Sequence, residues 1–307
     1  MNYDLKEIKN LAISSSLVRD PKISFLTEGL GNINFLVEEE GKKFVLRIKK
    51  NKEKQFNDSL EKEYTFLRYL ESKEINSCPK ALYYNKEKNF LIETFLEGKK
   101  VSQGDFTDKQ IDSYVKQSYE IFNLSISDFI NFCGKNNLKA IEDVNPQRSL
   151  EIYGFNRFDE INKKSIDPKV IDWLKKNLDN SLQSLSQIKQ LNIKGFYIGD
   201  LQSEVIINNQ GNIKFYDFEH AKIKHAWGLT YIKIHGKFNK VQFSYLIDRY
   251  CYYFKRNKEE ALKQIRIEEK IVRVNDVVWA AMMWNQTQKE EFKELTYKRM
   301  KLVEELN

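Results

Sequence analysis

The chain has 307 residues, of which 41% are hydrophobic and 31% charged, and its 51 basic and 44 acidic side chains give a formal net charge of +7. This composition is too apolar for a disordered chain, and the longest apolar run, the eight residues from Val277 to Trp284, is far shorter than the roughly 18 needed to span a bilayer. The positive excess is modest and dispersed, so an RNA-binding role rests on net charge alone and no aromatic-basic motif supports it.

The segment from about residue 22 to residue 97 is predicted to be mostly β-structure with one helix. Runs of β-branched and apolar residues bounded by turn residues predict strands at Ile23–Val37, Phe44–Ile48, Ala81–Tyr84 and Phe90–Phe95. Between the second and third of these, apolar residues recur at helical spacing, which predicts an amphipathic helix over about 58–72.

Helices are predicted to dominate after the polar stretch at residues 97–100. Thr107 and Gln110 have the spacing of a capping box, which predicts that a helix begins there. A further helix after Asp167 and Pro168 is predicted to bury one apolar face, made of Ile171, Leu174, Leu178, Leu182 and Leu185.

A β-hairpin is predicted to interrupt the helices at Val205–Asn208 and Ile213–Asp217, and three or four helices are predicted over 241–306. The sequence therefore predicts an α+β fold. Residues 1–98 would form a small β-rich lobe, and residues 99–307 a larger helical lobe with an inserted hairpin.

Two features of the first lobe suit a phosphate ligand. Gly29 and Gly31 lie in a turn between strands, where glycines let backbone N–H groups approach a polyphosphate closely. Arg47 lies among apolar residues on a strand, and Glu63 on the following helix can supply the counter-charge that a buried cation requires. The alternatives are a plain turn, a surface arginine and an exposed glutamate.

Residues 92–98 run from a strand into the predicted lobe boundary, and the backbone around Glu93 and Phe95 can offer donors and acceptors to an adenine edge.

Asp200 and Asp217 flank the inserted hairpin, 17 positions apart. The first can accept a proton from a hydroxyl group, and the second can hold Mg²⁺ on phosphates. Aspartate is also common in ordinary turns, so this pair has a purely structural alternative.

The order of these motifs resembles the aminoglycoside phosphotransferase and choline kinase superfamily rather than the protein kinases. Segments similar to the family's GxxNxxYxV, VLRI, ExxxLRxL and IDFE motifs lie at Gly29–Val37, Val45–Ile48, Glu63–Leu70 and Tyr216–Glu219. The resemblance covers residues 26–98 and 195–227, and the remaining helices match only in general character.

The resemblance implies a bilobal kinase-like fold with its cleft between residues 1–98 and 99–307. It implies ATP- and Mg²⁺-dependent phosphoryl transfer to a hydroxyl of a small molecule, such as choline, another amino alcohol, an aminoglycoside or a sugar. The implied nucleotide-binding residues are Gly29, Gly31, Asn32, Arg47, Glu63, Glu93 and Phe95. Asp200 would be the catalytic base and Asp217 the metal ligand.

Three positions depart from the family's pattern. Ile198 and Val205 occupy the places of the histidine and asparagine in the family's HGDxxxxN block, and Gly228 stands where an aspartate usually follows Ala-Trp. Because a valine cannot ligate a hard cation, Glu204 or Gln202 would have to provide the missing oxygen. The alternative function is a pseudokinase, a nucleotide-binding or partner-binding module without the chemistry.

The apolar run at 277–284 resembles the tryptophan-containing helix that lines the choline pocket of choline kinases, which makes Trp279 and Trp284 candidates for the acceptor pocket. Aromatic faces attract quaternary ammonium groups by cation–π interaction. The alternative is an apolar helix of the core.

The remaining features favour a cytoplasmic protein. The first ten residues contain no apolar leader segment, and Cys78, Cys133 and Cys251 form no CxxC pair, so we expect neither secretion nor a disulfide or zinc framework. The expected partner is a small-molecule alcohol, with neither a membrane nor a nucleic acid as partner.

Overall fold

A computed structural model describes residues 4–29, 31–50, 59–185, 194–198, 205–224 and 228–306. The chain divides into two compact units, the first made of Met1–Glu142 with Phe196–Lys222 and the second of Asp143–Gly195 with Ile223–Asn307. The lobe boundary at residue 98 stays a prediction.

The first unit is built around a five-stranded antiparallel sheet with the strand order β1-β2-β3-β5-β4. Its strands are β1 (Lys22–Glu28), β2 (Asn32–Glu39), β3 (Lys42–Lys49), β4 (Ala81–Asn85) and β5 (Phe90–Thr94). The run predicted at Ile23–Val37 forms two strands, β1 and β2, on either side of the predicted glycine turn. The turn between β2 and β3 is tight because Glu40 and Gly41 both adopt positive φ, at 50° and 76°.

In the residues that the structure describes, the N-terminal part of this unit also contains four α-helices and one 3₁₀ turn. They are α1 (Leu5–Ser14), α2 (Ser59–Ser72), the 3₁₀ turn Gln103–Asp105, α3 (Asp108–Phe122) and α4 (Ile126–Asn136). The predicted capping box is confirmed at the start of α3, where the side chains and backbones of Thr107 and Gln110 bond reciprocally. The helix predicted over 58–72 is confirmed as α2, whereas α1 was not predicted.

Two apolar clusters lie among the described residues of the first unit. One face of the sheet packs on α1 through buried residues that include Ala12, Phe35 and Leu46. A second cluster is aromatic, with ring centroids 5.1–6.2 Å apart, and joins Phe66, Tyr69, Phe129, Phe196 and Phe218. Fully buried aromatic side chains contribute the largest apolar areas in a core, so this cluster fixes α2 against the segment that contains Phe218.

The inserted hairpin is confirmed and is shorter than predicted. Its strands β9 (Val205–Ile207) and β10 (Ile213–Lys214) pair antiparallel, and β6 (Lys99–Val101) pairs with the other edge of β9. The second strand ends at residue 214 because Phe215 donates its N–H to the carbonyl of Ser77 instead of continuing the ladder.

The second unit is mainly helical. Its longer helices are α7 (Pro168–Leu185), α9 (Lys240–Phe254), the 30-residue α10 (Lys258–Thr287) and α11 (Glu290–Glu304). Shorter elements are α5 (Pro146–Leu150), one turn of π-helix at Glu151–Asn156, α6 (Arg157–Asp159), α8 (Leu229–His235), β7 (Asp143–Val144) and β11 (Lys222–Lys224). Strand β8 (Gly195–Tyr197) lies where the chain passes from this unit to the first.

The core of the second unit lies among α7, α10 and α11. The predicted face of α7 was partly wrong: Val170, Leu174 and Leu178 are buried, whereas Leu182 is 45% exposed. The packed face continues through the small Ser181 rather than through Leu182, which turns Leu182 to solvent.

The predicted fold class is confirmed: an N-terminal antiparallel sheet is followed by a largely helical C-terminal part. Within the described residues, no helix is both long enough and apolar enough to cross a bilayer.

We expect Gly98→Ala to destabilise the protein strongly. Gly98 has a φ of +146°, and a Cβ there would come within 2.4 Å of the Ile207 carbonyl oxygen and 2.7 Å of Ile206 Cγ2. The substitution therefore combines backbone strain with a clash against the strand β9, and we expect a loss of about 3 kcal/mol or more in unfolding free energy, measured by urea denaturation.

Gly41→Ala is the matched control, because Gly41 also has positive φ, at +76°, but nothing lies within 4 Å of its added Cβ. It should cost only about 1 kcal/mol. Equal losses for the two variants would contradict the proposed clash.

Candidate active site

Arg47 is a buried cation in the first unit. It lies on β3, opposite Asn34 of β2 and Leu91 of β5, and is only 4% exposed. Its Nη1 donates to Glu63 Oε1 at 2.9 Å, and its Nη2 donates to Asp217 Oδ1 at 2.7 Å. The predicted pairing of Arg47 with Glu63 is present, and the alternative of a surface arginine is wrong.

Glu63 joins three elements through one oxygen. It is fully buried on α2, and its Oε1 accepts from Arg47 and also from the backbone N–H of Phe218 at 2.8 Å. Bonds to charged groups are stronger than neutral ones. The carboxylate therefore fixes the guanidinium and the segment after Asp217 in one geometry.

Asp217 has an unusual backbone conformation. Its φ is +67°, in the left-handed region that costs a non-glycine residue about 1–2 kcal/mol. Burial raises the pKa of its carboxyl, but the adjacent Arg47 guanidinium outweighs burial and holds that pKa below its usual value. Asp217 is therefore an ionised carboxylate, and its side chain keeps 32% exposure beside the buried cation.

The cluster contains more acid than base. Glu93 on β5 is 4% exposed and places Oε1 3.8 Å from Arg47 Nη1, so three carboxyl groups surround one guanidinium. Burial is the main reason that the pKa of Glu63 lies well above its usual value and that of Glu93 rises to about 7. The two carboxyl groups whose pKa is raised are thus the ones that are most deeply buried, whereas that of Asp217 is lowered by its direct bond to Arg47.

A cavity of about 400 Å³ opens beside this cluster. Arg47 and Glu93 line it together with Phe95 and Gly98 of the segment that follows β5. Its other lining residues are mostly apolar: Leu26, Thr27, Asn34, Val45, Pro79, Thr94, Leu96, Lys100, Ile206 and Tyr216. Apolar walls with a few polar groups are typical of small-molecule sites.

The glycine turn is held by backbone hydrogen bonds, by the side chain of Lys50 and by a bond to a residue far away in the sequence. Gly29 donates its N–H to the Asn32 carbonyl at 2.9 Å, and Lys50 donates its N–H to the carbonyl of Gly31, also at 2.9 Å. The buried Asn32 donates from Nδ2 to Oε2 of Glu219 at 2.7 Å, across 187 positions of sequence. The turn is thereby joined to the segment that follows Asp217.

Sequence reasoning missed Glu219. Asn32 and Glu219 each lie inside a segment that resembles a family motif, but no local pattern in the sequence indicates that their side chains meet. Only the fold brings them together.

The predicted residues of the hairpin region are only partly described. Asp200 and Glu204 lie outside the described residues. Ile198 and Val205, the apolar departures on either side of them, are buried at 6% and 3% exposure, and Val205 pairs with Val101 of β6.

Trp279 and Trp284 pack within the second unit. Trp284 is 8% exposed and belongs to the apolar core, with its ring 6.3 Å from that of Tyr297. Trp279 packs edge-on against Phe292, and the guanidinium of Arg299 lies 5.2 Å from its ring. Their assignment to an acceptor pocket stays a prediction.

No protein-family model matches the sequence, and no curated protein matches it in sequence. The structure is nevertheless similar to those of small-molecule kinases over nearly the whole chain. The GDP complex of wild-type aminoglycoside 2'-phosphotransferase-IIIa is 15% identical, with a TM-score of 0.67 and coverage of 99% of this chain and 98% of that one.

Two other similar structures are kinases of amino alcohols. Choline kinase LicA from Streptococcus pneumoniae is 14% identical, with a TM-score of 0.69 and coverage of 98% of both chains. An ethanolamine kinase from Plasmodium vivax is 16% identical, with a TM-score of 0.69 and coverage of 95% of this chain and 85% of that one. The resemblance drawn from the motifs is thus confirmed in the fold: the chain has the fold of the aminoglycoside phosphotransferases and choline kinases.

We expect the hydrogen bond between Asn32 and Glu219 to form again when the donor and acceptor side chains are exchanged. Asn32→Asp places two carboxylates against each other and should lower the unfolding free energy by about 1–3 kcal/mol. Adding Glu219→Gln should recover most of this loss, because the new amide can donate to the new carboxylate. Urea denaturation of the two single variants and the double variant measures the coupling.

An Asn32→Asp variant as stable as the original protein would contradict this pairing. So would a double variant no more stable than Asn32→Asp alone.

Proposed function

We propose that the protein is an ATP- and Mg²⁺-dependent phosphotransferase that acts on a hydroxyl group of a small molecule. The observation that carries this proposal is the buried Arg47. It lines a cavity of about 400 Å³, and it is bonded to both Glu63 and Asp217. A fixed cation beside an ionised carboxylate, within reach of a cavity, suits a nucleotide whose phosphates bind a divalent metal.

The nucleotide would use the two ends of the cavity differently. The apolar residues and the segment after β5 would receive the base, and Arg47 would orient the phosphates under the glycine turn. Arg47 is already held by two carboxylates, so it needs no reorganisation when a phosphate arrives. Preorganised charge of this kind is the main source of catalysis in phosphoryl transfer.

Among the three carboxyl groups around Arg47, that of Asp217 is the one that fits a magnesium ion. Its side chain is 32% exposed, whereas those of Glu63 and Glu93 are 0% and 5% exposed. Within the described ranges, no group of three or more His, Cys, Asp or Glu side chains forms a metal cluster. Asp217 would therefore share the ion with nucleotide oxygens and water, with Glu204 as the second candidate ligand. Mg²⁺ bound there would neutralise charge on the β- and γ-phosphates.

Asp200 is the proposed base, as the resemblance implies. It would accept the proton of the acceptor hydroxyl as that oxygen attacks the γ-phosphorus and the bond to the β–γ bridging oxygen breaks, which releases ADP.

The similar structures are named for choline, ethanolamine and aminoglycosides, all of which carry a hydroxyl group and a nitrogen centre that is cationic at neutral pH. We propose this class of acceptor first, and sugars second.

A nucleotide-binding module without catalysis is the second candidate. The buried apolar side chains of Ile198 and Val205 favour it, because neither can ligate a metal or move a proton. A measurement of phosphoryl transfer distinguishes the enzyme from the non-catalytic module.

We expect Arg47→Ala to weaken ATP binding at least about tenfold, because charged hydrogen bonds contribute about 1.5–3 kcal/mol. Isothermal titration calorimetry in the presence of Mg²⁺ measures the affinity. Arg68→Ala is the matched control: Arg68 lies on α2, and its side chain is 45% exposed. Original affinity in the Arg47 variant would contradict the proposed site.

We expect transfer of the γ-phosphoryl group from radiolabelled ATP to at least one member of a panel of choline, ethanolamine, aminoglycosides and sugars. Asp200→Asn should abolish transfer while ATP still binds, and Asp217→Asn should remove the Mg²⁺ dependence of ATP binding. Adding an oxygen ligand with Val205→Asn should raise a slow transfer rate. ATP binding without transfer to any acceptor would favour the module over the enzyme.

A further inference from the structure

Glu93 is a buried carboxyl group that is poorly compensated by the protein. It lies on β5, opposite Val45 of β3, and is 4% exposed. Its Oε1 is 3.8 Å from Arg47 Nη1, beyond hydrogen-bonding distance, and its Oε2 has no hydrogen-bond partner among the residues that the structure describes. A buried carboxyl without hydrogen bonds is costly, so its presence needs a reason.

Glu93 is not required to hold Arg47. Glu63 and Asp217 already bond the guanidinium at 2.9 and 2.7 Å, both much closer than Glu93. The rise of the Glu93 pKa to about 7, caused mainly by burial and only partly offset by Arg47, agrees with a group that lacks donors. The structure thus leaves an acceptor whose donor is missing.

The missing donor can come from a ligand in the cavity. Among the described residues that line it, Glu93 is the one acidic residue, and the lining continues along Thr94 and Phe95. The backbone N–H groups of Thr94 and Phe95 donate within the sheet, to the carbonyls of Lys80 and Lys43 at 3.0 and 3.3 Å. These N–H groups are donors that are already engaged, whereas the side chain of Glu93 offers a ligand an acceptor oxygen that has no partner among the described residues.

We propose that Glu93 is the residue that selects the nucleotide base, accepting a hydrogen bond from the 6-amino group of adenine and disfavouring purines with an oxygen at that position. This inference rests on the proposed nucleotide site. The fold alone does not restrict the base to adenine, since aminoglycoside 2'-phosphotransferase-IIIa was solved as a GDP complex.

The choice of adenine over guanine follows from the chemistry of position 6. Adenine presents an amino donor there, whereas guanine and hypoxanthine present a carbonyl oxygen, which a carboxylate repels. Guanine can instead give two donors to both oxygens of one carboxylate, but Oε1 of Glu93 faces the Arg47 guanidinium. Hypoxanthine has its one donor at N1 and an oxygen at position 6, so adenine is the base that gives a single donor at position 6 to a single oxygen.

The experiment compares ATP with inosine triphosphate, which replaces the 6-amino group by an oxygen and leaves the rest of the heavy-atom skeleton unchanged. Calorimetry at pH 8, above the carboxyl pKa of about 7, gives the ratio of the two affinities. We expect the original protein to bind ATP at least about tenfold more tightly, the size expected when a buried polar group is left unpaired.

Glu93→Gln should bring this ratio to within about threefold, because a carboxamide can donate to an oxygen at position 6 or accept from an amino group. The ratio cancels any general loss of affinity caused by a disturbed Arg47. Glu87→Gln, an exposed residue in the turn between β4 and β5, is the matched control and should keep the original ratio.

Two results overturn the inference while leaving the proposed function intact: equal binding of ATP and inosine triphosphate by the original protein, or an unchanged preference in Glu93→Gln. If neither nucleotide binds the original protein, the proposed function and this inference fall together. Transfer activity is not needed for the measurement, so a catalytically inactive module would still test it.

Discussion

The buried guanidinium of Arg47 is the constraint on which the first unit depends. A charge at 4% exposure is stable only with close counter-charges, and these come from α2, from β5 and from the segment after β10. Each of these elements must therefore stay in place if the cation is to remain buried. The aromatic cluster around Phe66 and Phe196 provides that fixation, because its rings join α2 to the chain beside Asp217. Removing one partner of such a pair typically costs about 3–5 kcal/mol.

Asp217 shows how packing supports a strained residue. Its positive φ is unfavourable by itself, yet the next residue, Phe218, is fully buried and donates its N–H to Glu63. Apolar burial on one side and two bonds to charged groups on the other offset the strain. The carboxylate is thus held toward Arg47 by the core rather than by flexible contacts, which is the arrangement that preorganised electrostatics requires.

The parts that the sequence predicts are those determined by short-range patterns. The α2 helix and the capping box at Thr107 follow from spacing within about a turn, and the pairing of Arg47 with Glu63 follows from charges on consecutive elements. The exposure of Leu182 was not predictable, because the face that α7 buries depends on where α10 lies. The bond between Asn32 and Glu219 spans 187 positions, so it depends on the whole topology of the unit.

The charge of the cluster also constrains how a ligand can bind. Three carboxyl groups face the Arg47 guanidinium, and a triphosphate in the proposed site would bring further negative charge into the same region. A nucleotide bound in the proposed site would therefore have to be accompanied by cations. Linkage makes this effect reciprocal: any cation that improves nucleotide affinity is itself bound more tightly when the nucleotide is present. In the proposed site, valine at position 205 would leave the nucleotide to supply more of the cation's ligands, so that a site with few protein ligands would still depend on a metal.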